Sequence, residues 1–307
     1  MAAIEVPDVL TVPASTDLLT MVVGIFAVST SGPLMAATAA PALAIAFWRN
    51  GMATAVLVPW TLARHRAELR GMRGRERKLA VVAGGFLALH FATWVPSLTF
   101  TTVASATALV STQPVWAALL ARRAGARIAT LAWVGILVAV IGAAVLTGAD
   151  VRASGRAFAG DMLALIGGMS AAAYMAAGSE VRRHVSTTTY TTVCYATTAV
   201  LLLMTCIAGG KALAGYPASA WWRLAAVTAG AQFLGHSLFN RVLRRVSPTM
   251  VSLALLFEVP GAALLAAVFL HQTPGAQALP GLLLLIAGIA LVIAARGRGA
   301  EPPVPMD

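Results

Sequence analysis

The sequence predicts an all-α membrane protein in which ten transmembrane helices form two inverted five-helix repeats, with both termini cytoplasmic. Three observations carry that expectation: an apolar composition, the spacing of the apolar runs, and one long pattern that occurs twice. The 307 residues are 59% apolar and only 11% charged, a balance foreign to soluble domains. Ten apolar stretches fall near 18–38, 42–62, 79–99, 102–121, 129–147, 161–179, 189–209, 219–240, 247–269 and 279–295. At about 1.5 Å of rise per residue, each is long enough to cross a hydrocarbon layer about 30 Å thick. The intervening loops leave no room for a soluble domain. The expected organisation is a tail at 1–16, a first repeat at 17–147, an external linker at 148–160, a second repeat at 161–296 and a tail at 297–307.

The duplicated pattern is Ser247–Gly261, SPTMVSLALLFEVPG, and Thr102–Trp116, TVASATALVSTQPVW. Superposing Thr102 on Ser247 brings Gln113 onto Glu258, and Pro114 and Pro260 fall within one position of each other. Gly135 and Gly142 recur as Gly281 and Gly288, one residue out of that register. Repeats that each carry a polar residue and a proline at midplane depth are the signature of a transporter.

Charge sets the expected topology. With both termini inside, the cytoplasmic side holds Arg64, Arg66, Arg70, Arg73, Arg75, Arg77, Lys78, Arg122, Arg123, Arg127, Arg182, Arg183, Arg241, Arg244, Arg245, Arg296 and Arg298. Opposite them stand Arg152, Arg156, Lys211 and Arg223. The skew follows the positive-inside rule, so the net charge of +11 reflects topology and not nucleic-acid binding. Five spans per repeat is an odd number, so the second copy must insert upside down. The flanking charges agree: Arg122 and Arg123 follow span 4, whereas His271-Gln272-Thr273 follows span 9. Cys194 and Cys206 share one expected helix, too far apart to pair, and the N-terminal stretch lacks the basic region of a cleaved signal.

Taken in order, span 1 carries Ser29-Thr30-Ser31-Gly32-Pro33, and Pro33 cannot donate to the Ser29 carbonyl. A gate and a tolerated kink are both open readings of that proline. Span 2 places Arg49 and Asn50 some eight residues from its outer end, where an arginine either anchors by snorkelling or faces a pathway. In span 3, His90 and Trp94 share a face at i and i+4, and Pro96 frees the Ala92 carbonyl, which points to cavity lining. A histidine simply bonded to a neighbouring helix is the alternative. Span 4 has Gln113 and Pro114. Span 6 has Tyr174, whose hydroxyl needs a partner at membrane depth, and small residues at Gly168, Ala172 and Ala176 that permit close packing. Span 8 lines Gln232, His236 and Asn240 along one face, directed away from lipid. Span 9 has Glu258, the one carboxylate expected deep in the bilayer, and Pro260. The candidate substrate-binding residues are therefore His90, Trp94, Gln113, Tyr174, His236, Asn240 and Glu258, with kinks or gates at Pro33, Pro96, Pro114 and Pro260. Glu258 either carries a coupling proton or a substrate's cationic group, or stays neutral and braces a broken helix through a freed carbonyl such as that of Leu256.

No Walker-type phosphate loop, metal-ligand spacing or acidic pair at a membrane face occurs, so the sequence asks for no cofactor and no metal. SPTMVSLALLFEVP resembles the S-P-T-x-x-S-x-x-x-x-x-E-P stretch of EamA-type transporters of the drug/metabolite transporter superfamily. Gly160-Asp161-Met162-Leu163, Arg49 in span 2 and Gln113-Pro114 in span 4 resemble the same family, across residues 17 to 296. Two departures stand out: the Gly-Glu pairs that often follow spans 4 and 9 are Gly125-Ala126 and His271-Gln272 here, and the Glu-Pro pair is Glu258-Val259-Pro260. The resemblance implies a secondary or facilitative transporter of the exporter type in the inner or plasma membrane, moving small metabolites, amino acids or amphiphilic compounds by alternating access, and not an enzyme. Its partners would be a small-molecule substrate, the lipid bilayer and protons as coupling ion; monomer and homodimer are both open. The competing function is a membrane-embedded enzyme, or a lipid-translocating or accessory subunit, acting on lipid-linked substrates.

Overall fold

The computed structural model describes residues 15–125, 127–235, 238, 242 and 248–298, and every regular element among them is helical. In the first half, α1 (Ser15–Ser29) and α2 (Ser31–Ala36) form one bent rod, and α3 (Ala42–Arg64) follows. The short α4 (Arg66–Gly71) sits in the first basic loop, before α5 (Gly74–Phe100). A rod broken at its middle, α6 (Val103–Val110) and α7 (Gln113–Arg123), leads to α8 (Thr130–Ala153). The second half contains α9 (Gly155–Val181), α10 (Thr187–Ala208) and α11 (Ala218–Val227), which continues as a π-helical segment, Thr228–Gly235. It ends with a second broken rod, α12 (Pro248–Leu255) and α13 (Glu258–Leu270), and with α14 (Leu279–Arg298).

Among the described residues, eight helical stretches are long and apolar enough to cross a bilayer: 15–36, 42–64, 74–100, 103–123, 130–150, 155–181, 187–208 and 253–270. Leu279–Ala295 is a shorter apolar helix, and the helix that starts at Ala218 is described continuously only to Gly235. Large apolar side chains ring the outside, with Phe269 71% and Leu283 68% exposed. In water such a surface would aggregate; against lipid it is the expected one.

Packing relates the two halves by an approximate two-fold. α5 lies along α9, as α1 lies along the π-helical segment; α6 packs on α9 as α13 packs on α1. α3 with α10, α8 with α14 and α6 with α13 pair across the axis. The two broken rods run antiparallel, since the Val103 amide at the start of α6 donates to Gln272 Oε1 just past the end of α13, at 3.4 Å. The glycines that recur between the halves form the α8–α14 seam. A Cβ on Gly142 would lie 2.3 Å from the Leu285 nitrogen, and one on Gly288 would lie 2.3 Å from the Ala139 nitrogen. Only glycine lets the two backbones approach that closely.

Two expectations need correcting. The stretch 148–160 is not a polar linker: α8 runs to Ala153, α9 starts at Gly155, and Ser154 alone is extended. Its Oγ accepts the Ala157 amide at 3.0 Å, so Ser154 caps a new helix and needs no loop to do so. Nor is Glu258 the one carboxylate of the spans withdrawn from solvent. Asp161 is fully buried in α9, beside Asp150, Thr101 and Thr147, and neither of its oxygens has a well-formed hydrogen bond among the described residues. Helix extension carries Asp150 inward, where Thr101 Oγ1 donates to it at 3.3 Å.

Candidate functional site

Both rods break at the repeated motif, and they break in register. Thr102 accepts the Ser105 amide at 3.0 Å and so caps α6; eleven residues on, Gln113 is the first residue of α7. In the second half Glu258 is the first residue of α13, eleven after Ser247. Pro114 and Pro260 fall at the second and third positions of their half-helices, where a missing amide hydrogen costs no intrahelical bond. The extra residue between Glu258 and Pro260 therefore leaves the break unshifted. The break in the second rod is a tight turn, with Phe257 N donating to Ala254 O at 3.0 Å and Val259 N to Leu256 O at 3.2 Å. The Leu256 carbonyl, expected to be free, is thus already engaged. Glu258 remains partly exposed at a helix N-terminus, where the dipole favours an anionic group.

The first rod bends at the other side of this turn. The Leu34 amide donates to Thr30 O at 3.0 Å, and Pro33 withholds a donor from Ser29. Gly261 of α13 fits against that bend so closely that a Cβ there would lie 2.4 Å from Ser29 Oγ. Ser29 Oγ has no hydrogen-bond partner among the described residues.

At the convergence of these elements lies Arg49 of α3, only 4% exposed. Its Nε donates to Gln232 Oε1 at 3.1 Å, and its Nη1 donates to Ser31 Oγ at 3.1 Å and to Met35 Sδ at 3.5 Å. The guanidinium carbon stands 4.6 Å from the centre of the Phe91 ring, within cation–π range. Tyr195 of α10 lies beside both Gln232 and Arg49, and Glu258 is within electrostatic reach of the same guanidinium. Gln232 belongs to the π-helical segment, a local unwinding of a kind that gathers at functional sites. One charged group thereby ties α2, α3, α5 and the π-helical segment into a single polar cluster.

Of the residues singled out from sequence, Glu258 and His90 border this cluster. His90 Nδ1 donates to the Gly167 carbonyl at 3.0 Å, a bond across the α5–α9 interface, and Arg49 stands near its ring. Trp94 is buried one turn on, with rings 5.3 Å apart from His90 and its Nε1 lacking a partner among the described residues. Gln113 is half-buried on α7, which packs on α9 and α14, while α13 packs on α6, α1 and α2. Its register matches Glu258, but its neighbours differ. Tyr174 sits with Tyr190 and Cys194 between α9 and α10, with Tyr195 near both it and Arg49. Pro96 lies in an unbroken α5. His236 and Asn240 fall outside the described residues. The sequence does not single out Tyr195 or the centrality of Arg49; an arginine deep in an apolar stretch is the available signal.

Comparison with known proteins agrees with this architecture. The EamA-like transporter family matches twice along the chain, at residues 15–148 and again at 158–294. One solved structure, titled only "Crystal structure of protein", is 21% identical with a TM-score of 0.63, covering 94% of this chain and 100% of its own; at that identity the likeness concerns the fold alone. No curated protein matches. Two repeats, each with a half-helix opening at the same position, and a family match over both halves lead to one conclusion: this chain is a membrane protein of the EamA-like transporter family.

Proposed function

We propose that the protein is a secondary transporter of the exporter type, with ten spans, both termini cytoplasmic, resident in the inner or plasma membrane. It moves a small metabolite by alternating access, and it is not an enzyme. The observation that carries this reading is the matched pair of half-helix openings at Gln113 and Glu258, one per repeat, with a buried cation close to the second. Two antiparallel rods of this kind can rock about a shared midplane site and present it to either side at similar energy. Glu258 is the coupling group: at a half-helix N-terminus it meets a proton or the substrate's cationic end. His90, Trp94, Gln113 and Tyr174 contribute surrounding walls and hydrogen bonds, together with His236 and Asn240.

The test is flux in proteoliposomes containing this protein alone, driven by an imposed pH gradient or by substrate. Glu258→Gln keeps the shape and hydrogen bonds of the neutral acid but cannot titrate. The expected result is a folded variant whose flux no longer responds to the pH gradient. Normal, pH-responsive flux in Glu258→Gln would remove Glu258 from the mechanism. Topology is tested separately in protein lacking Cys194 and Cys206: a cysteine at Arg70 should react only from the cytoplasm, and one at Ala214 only from outside.

A further inference from the structure

The polar cluster contains a charge without an opposite charge in contact. Arg49 is buried, and each hydrogen bond it makes to a described residue runs to a neutral acceptor: the Gln232 amide oxygen, the Ser31 hydroxyl or the Met35 sulfur. No carboxylate among the described residues forms an ion pair with it; the pairs present among them, His65–Glu68, Arg75–Glu180 and Arg183–Glu180, lie in α4, at the ends of α5 and α9, and in the turns beside them. Glu258 interacts with the guanidinium through space without contact. A buried cation held only by dipoles is expensive, and more so at membrane depth. Phe91, Gln232 and Ser31 hold the guanidinium in place without neutralising it. A guanidinium presents a planar fork that matches a carboxylate in two parallel hydrogen bonds.

We propose that Arg49 is the anion-anchoring residue of the transported molecule's site, receiving a carboxylate that Gln232 and Ser31 help to orient. Glu258, the first residue of α13, then takes the cationic end, so that the preferred substrate carries both charges. This assignment rests on the transporter reading and adds the chemical class of the substrate. Arg49 donates to the carboxylate and keeps its protons, and Phe91 stacks beneath it whether or not the site is filled. The π-helical segment has a defined task here: it turns Gln232 towards the guanidinium from a helix otherwise engaged with α1.

The experiment uses detergent-purified protein and matched triples of probes: each of the common amino acids, its carboxamide, and its decarboxylated amine. Thermal stabilisation is measured against probe concentration. At least one amino acid should stabilise the protein, with its carboxamide and amine needing tenfold or more higher concentration for the same shift. Arg49→Gln should abolish that preference, and Arg49→Lys should retain part of it. If Arg49→Gln does not fold, Ser31→Ala and Gln232→Ala serve instead; each keeps the charge but loosens it, and should weaken carboxylate preference severalfold. Equal binding of acid and carboxamide, or no binding by any amino acid, overturns the assignment, as does an undiminished carboxylate preference in Arg49→Gln or, where that variant does not fold, in both Ser31→Ala and Gln232→Ala. Proteoliposome counterflow separates the two claims. Flux of amines without flux of amino acids sinks the anion site and leaves a transporter. Arg49-dependent binding without flux of any probe keeps the site and sinks the transporter.

Discussion

Replacing Gly142 by alanine tests the closest approach in the fold. The added Cβ would stand 2.3 Å from the Leu285 nitrogen and 2.8 Å from the Leu284 carbonyl carbon, all backbone atoms that no rotamer change can move. Ordinary contact begins near 3.4 Å, so α8 and α14 must part by roughly 1 Å, enough to forfeit a quarter to a half of each dispersion contact along the seam. Overpacking of this kind costs about 1–3 kcal/mol. In a chain of this size that corresponds to a loss of roughly 2–10 °C in melting temperature, read by tryptophan fluorescence of the purified protein. Gly148 supplies the control: it lies in the same helix with nothing within 4 Å of its virtual Cβ. Alanine there should be neutral or stabilising by about 0.5–1 kcal/mol, because it restricts the unfolded chain. If Gly142→Ala melts no lower than Gly148→Ala, glycine is not what sets the distance between the repeats.

Further tests address other parts of the molecule. Glu68 of α4 accepts the Ser186 amide at 2.6 Å, the Ser186 hydroxyl at 2.6 Å and the Thr189 hydroxyl at 2.5 Å, latching the loop between α3 and α5 to the start of α10. Desolvation opposes ionisation of Glu68, but these hydrogen bonds, aided by His65, outweigh it and hold the carboxyl below its ordinary value of 4.5. A depressed carboxyl stabilises fully above the unfolded value and loses that effect as pH falls through the folded one. Protection of the Ser186–Thr189 amides, taken relative to their intrinsic exchange rates, should therefore fall below about pH 4.5, and Glu68→Ala should show the low protection at every pH; unchanged protection in Glu68→Ala refutes the latch. Asp161→Asn keeps the side-chain shape while removing a like charge beside Asp150, so its melting temperature should equal or exceed that of the parent, and a fall of several degrees would show that the charge itself is needed. Gly261→Ala, whose Cβ would meet Ser29 Oγ at 2.4 Å, should slow transport more than it lowers melting temperature if the bend of α1–α2 against α13 moves during the cycle; equal losses would make the contact merely structural.

Much of this protein is written locally. Helix positions followed from apolar run length, because a backbone in hydrocarbon must satisfy its own hydrogen bonds. The register of Gln113 and Glu258 followed from counting eleven residues in each repeat, and the recurring glycines marked the seam where the repeats meet. Those features repeat along the chain or depend on neighbours a turn away. Tertiary structure decided the rest. The sequence leaves Arg49 as either an anchor or a pathway residue, since Ser31 and Gln232 reach it from 18 and 183 positions away, and no local pattern encodes that meeting. His90 resolved onto the Gly167 carbonyl 77 positions on. Asp161 looked like a residue at a helix start until α8 and α9 ran on to Ser154 and closed over it. Apolar periodicity tells which residues leave water; which polar groups then meet in the interior depends on how helices distant in sequence come to lie together.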